Sequence, residues 1–149
     1  MKILLTTDGS ACSHHAIREA LRLFPLREAA VTLLAVTPPP LVGMDPMVGY
    51  GLADGLTDTM QLERDVEATH THLVEARRIL QEAGVQGTEL EREGDPAGTI
   101  LETAKELQPD VIVVGSHGRG AVERLLLGSV SDAVLRRWQG AVLVVRPPA

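Results

Sequence analysis

The sequence predicts an α/β fold, an open five-stranded parallel sheet with helices on both faces. Three observations carry this. Short apolar runs alternate with stretches of helical periodicity along the whole chain. The strongest runs are continuously apolar, as in strands covered on both faces. Parallel neighbours need crossover connections, and the helical stretches between the runs supply them. A chain of 149 residues is long enough to bury one sizeable core, so a single domain over 1–149 is expected.

Lys2 to Thr7 is the first predicted strand, ending in Asp8-Gly9-Ser10, after which Ala16, Ile17, Ala20, Leu21 and Phe24 recur at helical spacing. Pro25 punctuates the helix end, and Ala30 to Val36, "AVTLLAV", is the second strand. The prolines and glycines of "TPPPLVGMDPMVGYGLADGLTD", residues 37–58, oppose regular structure and predict a lid or mobile segment. From about Thr59 to Ala83, the positions Leu62, Val66, Thr69, Leu73, Ala76, Leu80 and Ala83 alternate steps of three and four, a long amphipathic helix stopped by Gly84. A modest strand follows around Thr88 to Arg92. Asp95 is the expected N-cap and Pro96 the first residue of the next helix, whose buried face is Ile100, Leu101, Ala104 and Leu107. Val111 to Val114 is a core strand. A helix beginning near Val130 and a last strand, "AVLVV", complete five strands and four main helices.

Composition excludes several functions. A net charge of -6 and 2% aromatic residues argue against a nucleic-acid surface, which needs basic patches or stacking platforms. No apolar run approaches the length of a membrane span, and the apolar stretch near the start is only Ile3 to Leu5, too short for a targeting signal. The single cysteine, Cys12, fits a reducing compartment, with cytoplasm as the default expectation. Early in the first helix, it reads best as an inert small residue. His14-His15 and His70-x-His72 lack the i, i+4 spacing that places two imidazoles on one helical face, so no protein metal site is assigned.

The chemistry concentrates in "GSHGRGAVERLLLGSVS", Gly115 to Ser131. Ligands of open parallel sheets bind outside the carboxyl ends of the strands where strand order reverses, and both Asp8 and Gly115 fall at such ends. Glycines at 115 and 118 allow a sharp turn and close approach to a ligand. Gly128-Ser129 leads into a helix whose N-terminus offers unpaired N–H donors, with the hydroxyls of Ser129 and Ser131 in the same turn. One reading is a phosphate cradle built from main-chain amides rather than lysines. The other is ordinary turn punctuation between strand and helix. The string matches neither a P-loop nor a dinucleotide fingerprint, and the chain has no G-x-S-x-G elbow. Asp8 likewise reads either as a ligand of the crevice or as the cap of the first helix, and His117 as an exposed turn residue.

Gly115-x2-Gly118-x9-Gly128-Ser129, preceded by "DVIVVGSHGRG" and followed by "LLLGSVSDAVLRR", resembles the ATP-binding branch of the universal stress protein family. "ILLTTDGSACSHHAIREAL" and "GDPAGTILETAKEL" extend the resemblance over nearly the whole chain, most weakly in 37–60. The resemblance implies a Rossmann-like fold of the adenine nucleotide alpha hydrolase type, homodimers, and ATP with a divalent cation, Mg2+ or Mn2+, bridging its phosphates. Carried across, it places Asp8 and the backbone of Val36 at the adenine and ribose end with Thr6 lining it. Gly115 would lie near the ribose, while Gly118, Gly128, Ser129, Val130 and Ser131 would surround the phosphates. Gly140-Ala141 departs from the family's usual residues before the last strand.

The apolar strand Ala141 to Val145, expected at a sheet edge, predicts a homodimer that would bury it. Met44, Met47 and Tyr50 could fold over a nucleotide or face a partner, and Arg119 and Arg124 read as part of a solvated turn. The expected function is a nucleotide-dependent stress or signalling module with no catalytic residues. The alternatives are a slow ATPase or phosphate-transferring enzyme on the same fold, for which no nucleophile–base pair is evident, and a nucleotide-free dimeric interaction module.

Overall fold

A computed structural model describes residues 1–39, 54–118 and 127–147, with side chains from residue 59 onward in the second stretch. Its elements are β1 (Lys2–Thr7), α1 (Ala11–Leu23), a 3-10 turn (Leu26–Glu28), β2 (Ala30–Thr37), α2 (Asp54–Glu82), β3 (Thr88–Glu93), α3 (Pro96–Leu107), β4 (Val111–Gly115), α4 (Ser129–Arg137) and β5 (Ala141–Val145). The strands form one sheet in the order β3-β2-β1-β4-β5. Every neighbouring pair is parallel, with Leu5 facing Leu33 on one side and Val113 on the other.

The continuous apolar runs follow from two covered faces. Ile3, Leu5, Val111 and Val113 point to one face and join Ala16, Ile17 and Ala20 of α1 and Leu73, Ala76 and Leu80 of α2. Leu4, Ile112 and Val114 point to the other, against Ile100 and Ala104 of α3 and Val134 of α4. Alternate side chains of one strand thus enter two separate cores, and both must be apolar.

The two sheet edges differ. On β3, Glu89 and Glu91 pair with Arg77 and His70 of α2, and Arg92 with Glu106 of α3. Charge of this kind discourages edge pairing, whereas β5 carries only Ala, Val and Leu along its length.

Two helix starts differ from expectation. Helix α2 begins at Asp54 rather than near Thr59, so the end of the glycine-rich stretch is helical. A first turn tolerates glycine because its amides are unpaired in any case. Helix α4 begins at Ser129, one residue early, with Gly128 as its cap. Residues Met44, Met47, Tyr50, Arg119 and Arg124 lie outside the described residues.

Candidate functional site

Strand order reverses between β1 and β4. From β1 the chain crosses through α1 on one face, and from β4 it reaches β5 through α4 on the other. The crossovers diverge, so the carboxyl ends of β1 and β4 open into a crevice. A cavity of about 510 Å³ occupies it, within the range of about 300–1,000 Å³ usual for small-ligand sites. Thr6, Asp8, Val36, Gly115, Gly118, Gly128, Ser129, Val130 and Ser131 all line this one cavity. A smaller cavity of about 360 Å³ lies beside the C-terminal end of α2 and the start of β3, away from these strand ends.

The floor is rigid. The Thr6 hydroxyl donates to the Val113 carbonyl at 3.0 Å, tying β1 to β4. Asp8 does not cap α1. Ser10 does, accepting from the Ser13 amide at 3.1 Å, while Oδ1 of Asp8 accepts from the Ser10 amide at 3.0 Å and closes the turn. A side chain at Gly118 would lie 2.9 Å from Oδ2 of Asp8, so the glycine loop and the β1 turn face each other at close range. Gly115 has a packing reason as well. A Cβ there would sit 3.1 Å from the Cys12 sulfur and the Ser13 amide, because β4 ends directly against the start of α1. Cys12 itself is buried, its thiol 3.5 Å from the Val145 carbonyl.

The polar groups at α4 divide into two sets. The Gly128 amide is committed to the Ser116 carbonyl at 2.7 Å. The buried Ser131 hydroxyl turns inward, 2.9 Å from the same carbonyl and 3.0 Å from that of Gly128. Neither group faces a ligand as a donor, contrary to the expectation that the amides and hydroxyls of this turn act together. The first helical bond runs from the Asp132 amide to the Gly128 carbonyl, and no side chain caps the helix. The amides of Ser129, Val130 and Ser131 therefore have no acceptor among the described residues, at the positive end of the α4 dipole.

His117 is half-buried rather than exposed. Its Nδ1 is 2.8 Å from the Ser116 hydroxyl, and its enclosed Nε2 has no hydrogen-bond partner among the described residues.

The glycine pattern gave no sign of two further walls. Pro96 and Ile100 of α3 join Val36, Pro38, Val114 and Val130 in an apolar side. Opposite them stand Asp65, Ala68, Thr69 and His72 of α2. Thr69, read from the sequence as one position of a core stripe, is buried but bonded to the Thr37 hydroxyl at 2.8 Å. The available signal was the spacing of Asp65, Thr69 and His72, which puts polar residues along one side of a helix that otherwise packs inward.

The profile of the Universal stress protein family matches residues 1–146. This chain belongs to that family. Universal stress protein MJ0531 of Methanocaldococcus jannaschii is 34% identical over 150 residues, an alignment covering 99% of this chain and 82% of that one. The solved structure of hypothetical protein MJ0577 superimposes with a TM-score of 0.82 at 24% identity, covering 99% and 96% of the two chains. A universal stress protein solved in complex with cAMP gives 0.70 at 26% identity, covering 99% and 98%. In this universal stress protein, no helix among the described residues is long and apolar enough to cross a membrane. Nor do three His, Cys, Asp or Glu side chains among them gather into a metal-binding group.

Proposed function

We propose that this universal stress protein binds an adenine nucleotide in the crevice, with ATP carrying Mg2+ or Mn2+ as the physiological form, and that occupancy changes its shape or its affinity for a partner in a stress response. The observation that carries the reading is that Ser129, Val130 and Ser131 line the cavity with amides that have no acceptor among the described residues. Hydrogen bonds to a charged group contribute about 1.5–3 kcal/mol each, so three amides offer a phosphate a substantial seat without lysine. The apolar side formed by Val36, Pro96 and Ile100 suits a purine face. The relative bound to cAMP supports adenine as the base. With Asp8 and Asp65 in the lining, a cation would be held chiefly by the phosphate oxygens and would supply charge compensation.

Occupancy biases conformation only by its difference in affinity between two states, so no catalytic step is required. We further propose a cytoplasmic homodimer paired through β5, which is apolar and has no strand on its outer edge among the described residues.

Calorimetric titration with ATP, AMP and a pyrimidine nucleotide tests the reading, repeated with Gly118→Val. Its side chain would enter the crevice beside Asp8, where only a carboxylate tip must move. Adenine nucleotides should bind, and the variant should lose about tenfold or more, the scale of an overpacked contact of ~1–3 kcal/mol. No binding by the parent, or equal binding by a folded variant, would leave the nucleotide-free interaction module as the better account.

A further inference from the structure

One carboxylate of the crevice is not accounted for by the fold. Asp65 lies in the interior of α2, where an aspartate caps nothing and is a poorer helix former than most residues. It is half-buried while Arg64, Val66 and Glu67 are exposed, and it lines the cavity together with Ala68 and Thr69. Its Oδ1 accepts from the amide of the exposed Gln61 at 3.0 Å, and its Oδ2 has no hydrogen-bond partner among the described residues. No Lys or Arg among the described residues lines the cavity to neutralise it.

The fold fixes where this carboxylate stands. Helix α2 crosses over from β2 to the parallel β3, so it runs antiparallel to the strands and its N-terminal part reaches past their carboxyl ends. Thr37, the last residue of β2, donates its hydroxyl to that of Thr69 at 2.8 Å, and the Thr69 hydroxyl donates to the Asp65 carbonyl at 2.8 Å. Asp65 is therefore one turn, about 6 Å, beyond the end of β2, at the end of the cavity that Val36 and Pro38 line. The phosphate seat is at the other end. It belongs to α4, which follows β4, and β4 lies two strands from β2, about 10 Å away. A nucleotide whose phosphates rest on the α4 amides thus brings its base, not its phosphates, toward Asp65.

We propose that Asp65 is a specificity-determining residue of the crevice, whose carboxylate accepts a hydrogen bond from the exocyclic amine of adenine and so selects 6-aminopurines. The inference rests on the nucleotide-binding reading and adds to it a residue that reads the base. An ionised carboxylate only accepts hydrogen bonds, so it rewards an amine and rejects an oxygen at the same ring position. Such charge-assisted bonds are stronger than neutral ones, and a site that pairs one polar group of its ligand discriminates against an analogue lacking it. The apolar side of Val36, Pro96 and Ile100 takes the purine face, which leaves the polar edge of the base for a side chain of the opposite wall.

The test is a calorimetric titration of the parent, Asp65→Ala and a Glu67→Gln control with AMP, with purine riboside monophosphate, which lacks the amine, and with 2′-deoxy- and 3′-deoxy-AMP. Glu67 is exposed on the same helix and is not part of the cavity lining. Alanine favours a helix interior, so Asp65→Ala keeps α2 intact, and circular dichroism checks this. Asp65→Ala is expected to weaken AMP about tenfold and to leave purine riboside monophosphate unchanged, while Glu67→Gln matches the parent with both. Asp65→Asn, which keeps an acceptor oxygen without the charge, should fall between parent and Asp65→Ala with AMP. AMP binding equal to the parent's in Asp65→Ala, or equal losses for AMP and purine riboside monophosphate, overturns this inference while leaving the site intact. A loss that persists with purine riboside monophosphate and vanishes with a deoxyribose ligand assigns the carboxylate to the sugar and overturns it as well. Absence of any adenine-nucleotide binding by the parent overturns both this inference and the reading beneath it.

Discussion

At the scale of single residues, the glycines of the crevice separate into those that hold the fold and those that keep space open. Gly115 abuts Cys12 and Ser13 at 3.1 Å, against the backbone and buried sulfur at the start of α1. Gly118 approaches only the tip of Asp8. Gly115→Ala should therefore destabilise the protein by about 1–3 kcal/mol in urea denaturation, the usual cost of overpacking, while Gly118→Ala should stay within about 0.5 kcal/mol. Equal losses would mean that the two positions are not divided in this way. The role of Asp8 also emerges here. Sequence left it between cap and crevice, and the hydroxyl of Ser10 takes the cap because it sits one residue before α1, while Asp8 closes the turn ahead of it.

At the scale of elements, the charged β3 edge is tied to its covering helices by cross-element pairs. Arg92 donates to Glu106 of α3 at 3.0 and 2.6 Å, and these hydrogen bonds hold the Glu106 carboxyl below its ordinary value of 4.5. A folded pKa that is depressed gives stability that is present above the unfolded value and lost as pH falls through the folded one. Glu106→Gln should thus be less stable than the parent at pH 7, with the difference shrinking as pH drops below about 4.5. Denaturation curves at pH 7 and pH 3 check this, and a difference that grows in acid would contradict the assignment. The pair is solvent-exposed, so salt should weaken it. The elements themselves were legible. Five strands and four helices follow from runs and periodicities, and the starts of α2 and α4 were placed late, that of α2 because the glycines of residues 37–58 were weighed as breakers where a first turn tolerates one.

At the scale of the whole molecule, the contrast between β3 and β5 points to assembly on one side only. Light scattering at micromolar concentration should return twice the mass of one chain, and the mass of a single chain would count against pairing through Ala141 to Val145. The same contrast orients the crevice. It lies at the carboxyl ends of the central strands, so pairing through β5 would leave its mouth on a face separate from the outer edge of the sheet.

Periodicity and turn chemistry, both local properties, were enough to determine the strands and the helices, while resemblance to the universal stress protein family, carried by the glycine pattern, supplied the nine residues that meet in one cavity. Which donors remain available was decided only by tertiary structure. The Gly128 amide and Ser131 hydroxyl are claimed by Ser116, at least twelve residues away in sequence, and His72 reaches Gly9 across more than sixty. Partners so distant leave no periodic trace, because the contact exists only once the sheet has set β1 beside β4 and packed α2 against their ends.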